Sequence, residues 1–261
     1  MMPRIPTANK LQSTYENFVA ECPHCQEACT FNRMSDLKTC EPISGMDVSC
    51  FNPACAKPFR ILNDLINPRH QMLVFDSQDF LKQKRYMNCI LNLCQAYEVF
   101  FSQFLRVELV FKPLWNDQGD RDELNSVAQL LWRRTETMTF SPLRTIFLRR
   151  VVGQIPPPAS LTESSSVIEG LSSLKNLPIP DDSDIDKLGD LRLIPILKML
   201  KDSKIHKTRN RVIHKDAYRP TKDEAEAALA ETKSILMPLT HLLDIQENIN
   251  WYRQYAVNDD D

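Results

Sequence analysis

Six cysteines close to the N-terminus constrain the fold of this chain more than any other feature. Four of them form two pairs: two residues separate Cys22 from Cys25, and four residues separate Cys50 from Cys55. Two thiolates on one tight turn lie on the same side of it, and two such turns complete a tetrahedron of sulfur ligands around Zn²⁺. We therefore expect these four cysteines to bind one zinc ion.

The other cysteines have two interpretations. Cys29 and Cys40 lie between the pairs, where they are either small buried hydrophobic residues or replacements for one of the four ligands. His24 lies inside the first pair and could also bind metal, but we expect it to face solvent. Cys89 and Cys94 are five residues apart in a helical pattern, which predicts core packing.

Short β-like stretches flank the paired cysteines, and the segment as a whole resembles a zinc ribbon. The stretches are EACTFN, KPFRIL and, further on, HQMLVF. The resemblance implies a structural zinc, because four thiolates leave no open position for water or substrate. We predict a β-rich zinc-ribbon domain over residues 1–75, which would dock onto either nucleic acid or protein.

Helical periodicity dominates the chain after this domain, so we predict an all-α domain over residues 76–253 and an α+β multidomain fold. Residues 154–184 are rich in Pro, Ser and Asp, and we predict a mobile insertion rather than a functional loop there. A helical stretch follows this segment, and Pro195 within it should kink it or split it in two. Residues 254–261 should form a disordered acidic tail. The predicted helices are Asp76-Ser77 to about Pro113, 120–138, Ser141-Pro142 to Gly153, and Thr221 to about Tyr252 with an interruption at Pro238.

Composition excludes several functional classes. The net charge of −2 argues against a globally basic nucleic-acid binder, and five glycines leave no Gly-rich phosphate loop. The N-terminus has no apolar signal region, and no apolar run is long enough to span a membrane. We expect a cytoplasmic protein without membrane contact.

Positive charge is nevertheless concentrated in residues 201–220. This segment has seven Lys or Arg against two Asp, a net +5 in a chain whose total is −2. Such a segment is either a solvated helix face or a strip that faces phosphates. Within it, Arg209, Asn210 and His214 form the pattern Arg-Asn-x-x-x-His. An imidazole can transfer a proton near neutral pH, and a guanidinium can stabilise a charged phosphate, so the pair can cleave RNA without a metal.

This motif in an all-α domain resembles the HEPN superfamily, whose members are often metal-independent endoribonucleases of toxin–antitoxin and antiviral-defence systems. The resemblance implies that His214 transfers the proton, Arg209 stabilises the phosphate and Asn210 orients them, while Glu98 could match an acidic residue of the family. It also implies a homodimer, RNA as substrate, products with 2′,3′-cyclic phosphate and 5′-hydroxyl ends, and an antitoxin or defence-complex partner. We expect further phosphate contacts from Lys207, Arg211 and Lys215.

Two other functions stay open at this point. The chain could bind nucleic acid or nucleotide as a sensor without cutting it. It could also be a docking subunit of a larger defence complex, with the ribbon binding protein and the helices forming a dimer.

Overall fold

The structure is a computed structural model that describes residues 17–32, 36–37, 46–61, 68–117, 121–174, 176–215, 218–245 and 248. The chain divides into two compact units between Pro68 and Arg69. This division comes earlier than the predicted boundary after residue 75, because residues 70–75 belong to a helix. The prediction of a β-like HQMLVF stretch is therefore wrong. The predicted acidic tail and Cys40 lie outside the described residues.

The N-terminal unit contains two antiparallel hairpins, each closed by one of the cysteine pairs. Strand β1 (Asn17–Glu21) pairs with β2 (Ala28–Asn32), and β3 (Met46–Ser49) pairs with β4 (Pro58–Ile61). A small core of Cys22, Cys29, Phe31, Leu37, Cys50, Phe59 and Ile61 lies between them. The predicted combination of a small β-rich cysteine unit and a mostly helical remainder is confirmed at this level.

The second unit is helical throughout its described part. Helix α2 is its centre and packs against α1, α5, α9 and α10. It buries a run of aromatic and aliphatic side chains, including Tyr97, Phe100 and Phe101. The helices are α1 (Arg69–Lys82), α2 (Tyr86–Arg106), α3 (Lys112–Asp117), α4 (Arg121–Thr135), α5 (Phe140–Val151), α6 (Leu161–Leu174), α7 (Asp182–Ile185), α8 (Leu193–Asp202), α9 (Ile205–His214) and α10 (Lys222–Leu242), with a π-helical segment Val107–Phe111 between α2 and α3.

The segment predicted as a mobile insertion contains helices α6 and α7. Leu161, Ile168 and Leu171 of α6 are fully buried, and α6 packs against α4. The prediction that this segment is an insertion without regular structure is therefore wrong. Its Ser/Pro-rich composition is typical of loops, although it contains the start of helix α6. The Ser160 hydroxyl accepts the Glu163 N–H at 3.2 Å, which caps the first turn.

Prolines interrupt the helices less than predicted. Pro195 lies in the first turn of α8, where a missing N–H costs nothing. The break in this part of the chain falls instead at Ser203–Lys204, between α8 and α9. Pro238 lies inside α10 without ending it, because the carbonyl left without a partner belongs to the exposed Ser234, where water can reach it.

Among the described residues, no helix combines the length and the apolar character needed to cross a membrane.

Candidate metal centre and basic helix

The four predicted cysteine ligands come together at the turns of the two hairpins. The ligand atoms of Cys22, Cys25, Cys50 and Cys55 all lie within 4.8 Å of one another. Sγ of Cys22 is 3.9 Å from Sγ of Cys55, and Sγ of Cys25 is 3.6 Å from Sγ of Cys50. Four Zn–S bonds of ~2.3 Å in a tetrahedron separate the sulfurs by about 3.8 Å. The arrangement therefore fits a tetrahedral thiolate site.

The two cysteine turns have the same backbone design. In each, the residue directly after the second cysteine has a positive φ: Gln26 at 59° and Ala56 at 46°. Its N–H returns to a carbonyl at the start of the turn, on Cys22 and Asn52 respectively. Because this backbone is set by local hydrogen bonds, both turns hold their thiols on the same side.

Cys29 lies beside this group without belonging to it. Its side chain is 2% exposed, and its Sγ lies 3.7 Å from Sγ of Cys50. It also accepts the Phe51 N–H at 3.4 Å. His24 is exposed, as expected, and its Nε2 lies 3.1 Å from the Pro58 carbonyl oxygen. The prediction that Cys89 and Cys94 are core residues is confirmed, and burial raises their pKa to about 11 and about 12.

Helix α9 presents one exposed face that carries most of the predicted site residues. Four of these residues are exposed: Lys207, Asn210, Arg211 and His214. Their successive spacings are three, one and three residues. At about 100° per residue this spacing puts them on one side of the helix. Lys215, directly after the helix, is exposed as well. Buried Ile205 and Val212 hold the opposite side against the helical core.

Arg209 lies on a different flank of α9, facing α2. Its guanidinium donates to the Asn210 side-chain oxygen at 3.2 Å. It is also close enough to Glu98 and Cys94 on α2 to influence both electrostatically. Burial raises the pKa of Glu98, while the Phe140 N–H (3.0 Å away) and Arg209 oppose that rise. Around the helix axis Arg209 and His214 are about 140° apart, so the structure brings Arg209 to Asn210 but not to His214.

His206 does not share the exposed face. Its ring stacks on Phe140 with the centroids 5.2 Å apart and the planes 11° from parallel. Burial, Arg144 and Lys207 together lower its pKa. His206 is half-buried, because position 206 of α9 faces the start of α5.

The buried Arg144 on α5 determines where α9 begins. Its guanidinium donates to the carbonyl oxygens of Leu200, Lys201 and Ser203 at 3.3, 3.0 and 3.0 Å. These carbonyls lie at the C-terminal end of α8, where a helix leaves its last carbonyls short of backbone donors, although that of Leu200 also accepts the Ser203 N–H at 3.3 Å. Arg144 was missed in the sequence, where it lies in an amphipathic helix with other arginines. Only its position among apolar residues could have distinguished Arg144, as a buried arginine, from the other arginines of that helix.

Arg211 is held by groups from the start of α10. Its guanidinium carbon lies 3.9 Å from the centroid of the Tyr218 ring, and its Nη1 lies 3.7 Å from Oε1 of Glu224. The Tyr218 hydroxyl donates to the same carboxylate oxygen at 2.7 Å. Glu224 also closes the capping box with Thr221, as the sequence predicted for the start of α10. Arg211 therefore reaches solvent from a fixed position.

Comparisons with known proteins give no match: neither a protein-family model, nor a curated protein, nor a solved structure is similar to this chain. The functional argument rests on the residues themselves.

Proposed function

We propose that the helical unit is a metal-independent endoribonuclease that binds RNA on the exposed face of α9. The observation that carries this proposal is the common face of Lys207, Asn210, Arg211 and His214. Three charged or proton-transferring groups and one amide on a single exposed face suit a phosphate backbone. The packing of Arg209 beside Glu98 supports a preorganised arginine at the edge of that face.

The proposed reaction needs only side chains of this chain. His214 removes the proton of a ribose 2′-hydroxyl or protonates the leaving 5′-oxygen. The 2′-oxygen attacks phosphorus as the bond to the 5′-oxygen breaks, which gives a 2′,3′-cyclic phosphate and a 5′-hydroxyl. Arg209 stabilises the charge on the phosphorane, and Asn210 orients Arg209 through the bond between them.

The separation of Arg209 from His214 favours a homodimer. Because the two side chains lie about 140° apart on one helix, a single copy does not direct both at one phosphate. Two copies of α9 that face each other would place an arginine of one chain opposite the histidine of the other. An antitoxin or another subunit of a defence system would act by covering this face.

We propose a structural Zn²⁺ for the four-cysteine site. The Cys22–Cys55 and Cys25–Cys50 sulfur separations of 3.9 and 3.6 Å match a tetrahedral thiolate site, and four thiolates leave no position for substrate. In this proposal Cys22, Cys25, Cys50 and Cys55 hold the metal, and the metal holds the two hairpins together.

A second candidate function is RNA binding without cleavage. Arg209 is bound to Asn210 and faces Glu98, so it could serve only to hold α9 on α2. The exposed lysines and His214 would then contact phosphates with no acid–base role. A docking subunit would use the same face to bind a protein.

Cleavage of a mixed single-stranded RNA by the purified chain separates these functions. We expect the His214→Ala variant to lose cleavage by about 10²-fold or more while RNA binding falls much less. The matched control is His241→Ala, since His241 is an exposed histidine of α10. Equal cleavage by wild type and His214→Ala would refute the catalytic assignment. Binding without cleavage in all three proteins would support the sensor, and neither activity would support the docking subunit.

A further inference from the structure

We infer that Cys29 makes the metal centre a peroxide-sensitive site, in which oxidation joins Cys29 to Cys50 and releases the metal. The inference rests on the proposed zinc site. Among the described residues, five cysteine sulfurs lie at this centre, but a tetrahedral ion uses four. Cys29 is the fifth, and its Sγ lies 3.7 Å from Sγ of Cys50, as close as the ligand sulfurs lie to each other.

Cys50 has both roles in this inference: it is a metal ligand, and it is the disulfide partner of Cys29. Its Sγ lies 3.6 Å from Sγ of Cys25 on the ligand side and 3.7 Å from Sγ of Cys29 on the other. Cys29 does not belong to the set of four cysteines whose ligand atoms all lie within 4.8 Å of one another. With a metal bound, Cys29 is therefore the one thiol of the five that is free to react with a neighbouring sulfur.

The surroundings of Cys29 hold it in this position. It lies in the core of the N-terminal unit on strand β2, and its Sγ accepts the Phe51 N–H at 3.4 Å. Phe51 follows Cys50 directly, so this bond links Cys29 to the turn that carries the ligand. A disulfide requires a sulfur separation of about 2.05 Å, which a movement of less than about 2 Å at the side chains would provide.

The chemistry balances with hydrogen peroxide as oxidant. The Cys50 thiolate attacks peroxide, which gives a Cys50 sulfenic acid and hydroxide. The Cys29 sulfur attacks the Cys50 sulfur, forms the S–S bond and expels the second hydroxide, which takes up the thiol proton as water. Overall, one thiolate, one thiol and one hydrogen peroxide give one disulfide, one water and one hydroxide. The centre keeps three thiolates, and the metal affinity falls.

The test follows metal release and disulfide position together in the full-length protein. Zinc-loaded wild type is treated with hydrogen peroxide, released zinc is measured with a chromogenic chelator, and disulfides are mapped by mass spectrometry after alkylation. We expect a Cys29–Cys50 link that forms together with zinc release and is reversed by dithiothreitol and added zinc. In Cys29→Ala, zinc should bind with unchanged stoichiometry and be released about tenfold more slowly.

Cys94→Ala is the matched control, because Cys94 is an equally buried thiol outside the centre. It should release zinc at the wild-type rate. Release from Cys29→Ala at the wild-type rate, or a disulfide between two of the four ligands, would overturn the inference. A wild-type protein that binds no zinc when reconstituted would instead refute the proposed metal centre.

Discussion

At the residue scale, His70 is a fully buried titratable group of the helical unit. Its Nδ1 lies 2.6 Å from Oε1 of Gln103 on α2, and its Nε2 lies 2.7 Å from Oγ1 of Thr240 on α10. A neutral imidazole carries a single N–H, so Nδ1–H donates to Oε1 of Gln103 and Nε2 accepts from the Thr240 hydroxyl. Burial lowers the pKa of His70 to about 4. The neutral ring therefore links three helices.

This environment predicts that the helical unit loses stability as the pH falls. The unfolded chain binds a proton at His70 below about pH 6.5, while the folded protein does not until about pH 4. Between pH 7 and pH 5 the free energy of unfolding should fall by about 2 kcal/mol through this residue. Urea unfolding followed by circular dichroism at 222 nm measures this change.

A matched pair of variants isolates the contribution of His70. His70→Gln removes the titrating group and should flatten the pH dependence, whereas His241→Gln changes an exposed histidine and should leave it as in the wild type. If the free energy of unfolding of His70→Gln falls with pH as steeply as that of the wild type, the buried neutral histidine does not cause the loss of stability.

At the element scale, the two cysteine turns contain a local strain that can be tested. Ala56 has a φ of 46°, a left-handed conformation that an alanine adopts at a cost of about 1 kcal/mol relative to glycine. Ala56→Gly should therefore stabilise the folded N-terminal unit. Because metal binding is coupled to folding of such a unit, we expect about fivefold tighter zinc binding in competition with a chelator.

The control for this prediction is Ala54→Gly, two residues earlier in the same turn. Ala54 is an exposed alanine in the same turn, and it is not among the residues with positive φ. Its replacement adds unfolded-state freedom without relieving strain, so zinc binding should be unchanged or weaker. Tighter binding in Ala54→Gly, or weaker binding in Ala56→Gly, would contradict the assignment of strain to position 56.

The elements also show which parts of the fold the sequence could predict. The spacing within the two cysteine pairs sufficed to predict the cluster of four cysteines, and Thr221 with Glu224 sufficed for the start of α10, because these signals are local. The α6 helix was missed although Ser160 and Glu163 carry a capping signal, since the neighbouring prolines dominated the composition.

Packing between distant segments could not be predicted in this way. No local pattern distinguishes His206 or Arg144 from surface residues, yet the contact of α5 with α8 and α9 determines the surroundings of both. Neither partner is near in sequence, so no local pattern reports these contacts. The separation of about 140° between Arg209 and His214, in contrast, follows from their five-residue spacing on one helix.

At the scale of the whole molecule, the two units have separate cores and separate proposed roles. The N-terminal core surrounds the cysteines, while α2 organises the helical core around aromatic side chains. A chelator that removes the metal should therefore act on the N-terminal unit and leave the helical signal at 222 nm nearly unchanged. This separation allows the proposed RNA cleavage to be measured without metal.

The most direct test of the central claim is the chemistry of the RNA ends produced in excess EDTA, with the 222 nm signal measured in parallel as the folding control. The proposed mechanism predicts continued cleavage that leaves 2′,3′-cyclic phosphate and 5′-hydroxyl ends and disappears in His214→Ala. Ends with 3′-hydroxyl and 5′-phosphate groups, or cleavage that EDTA abolishes while the helices stay folded, would contradict it.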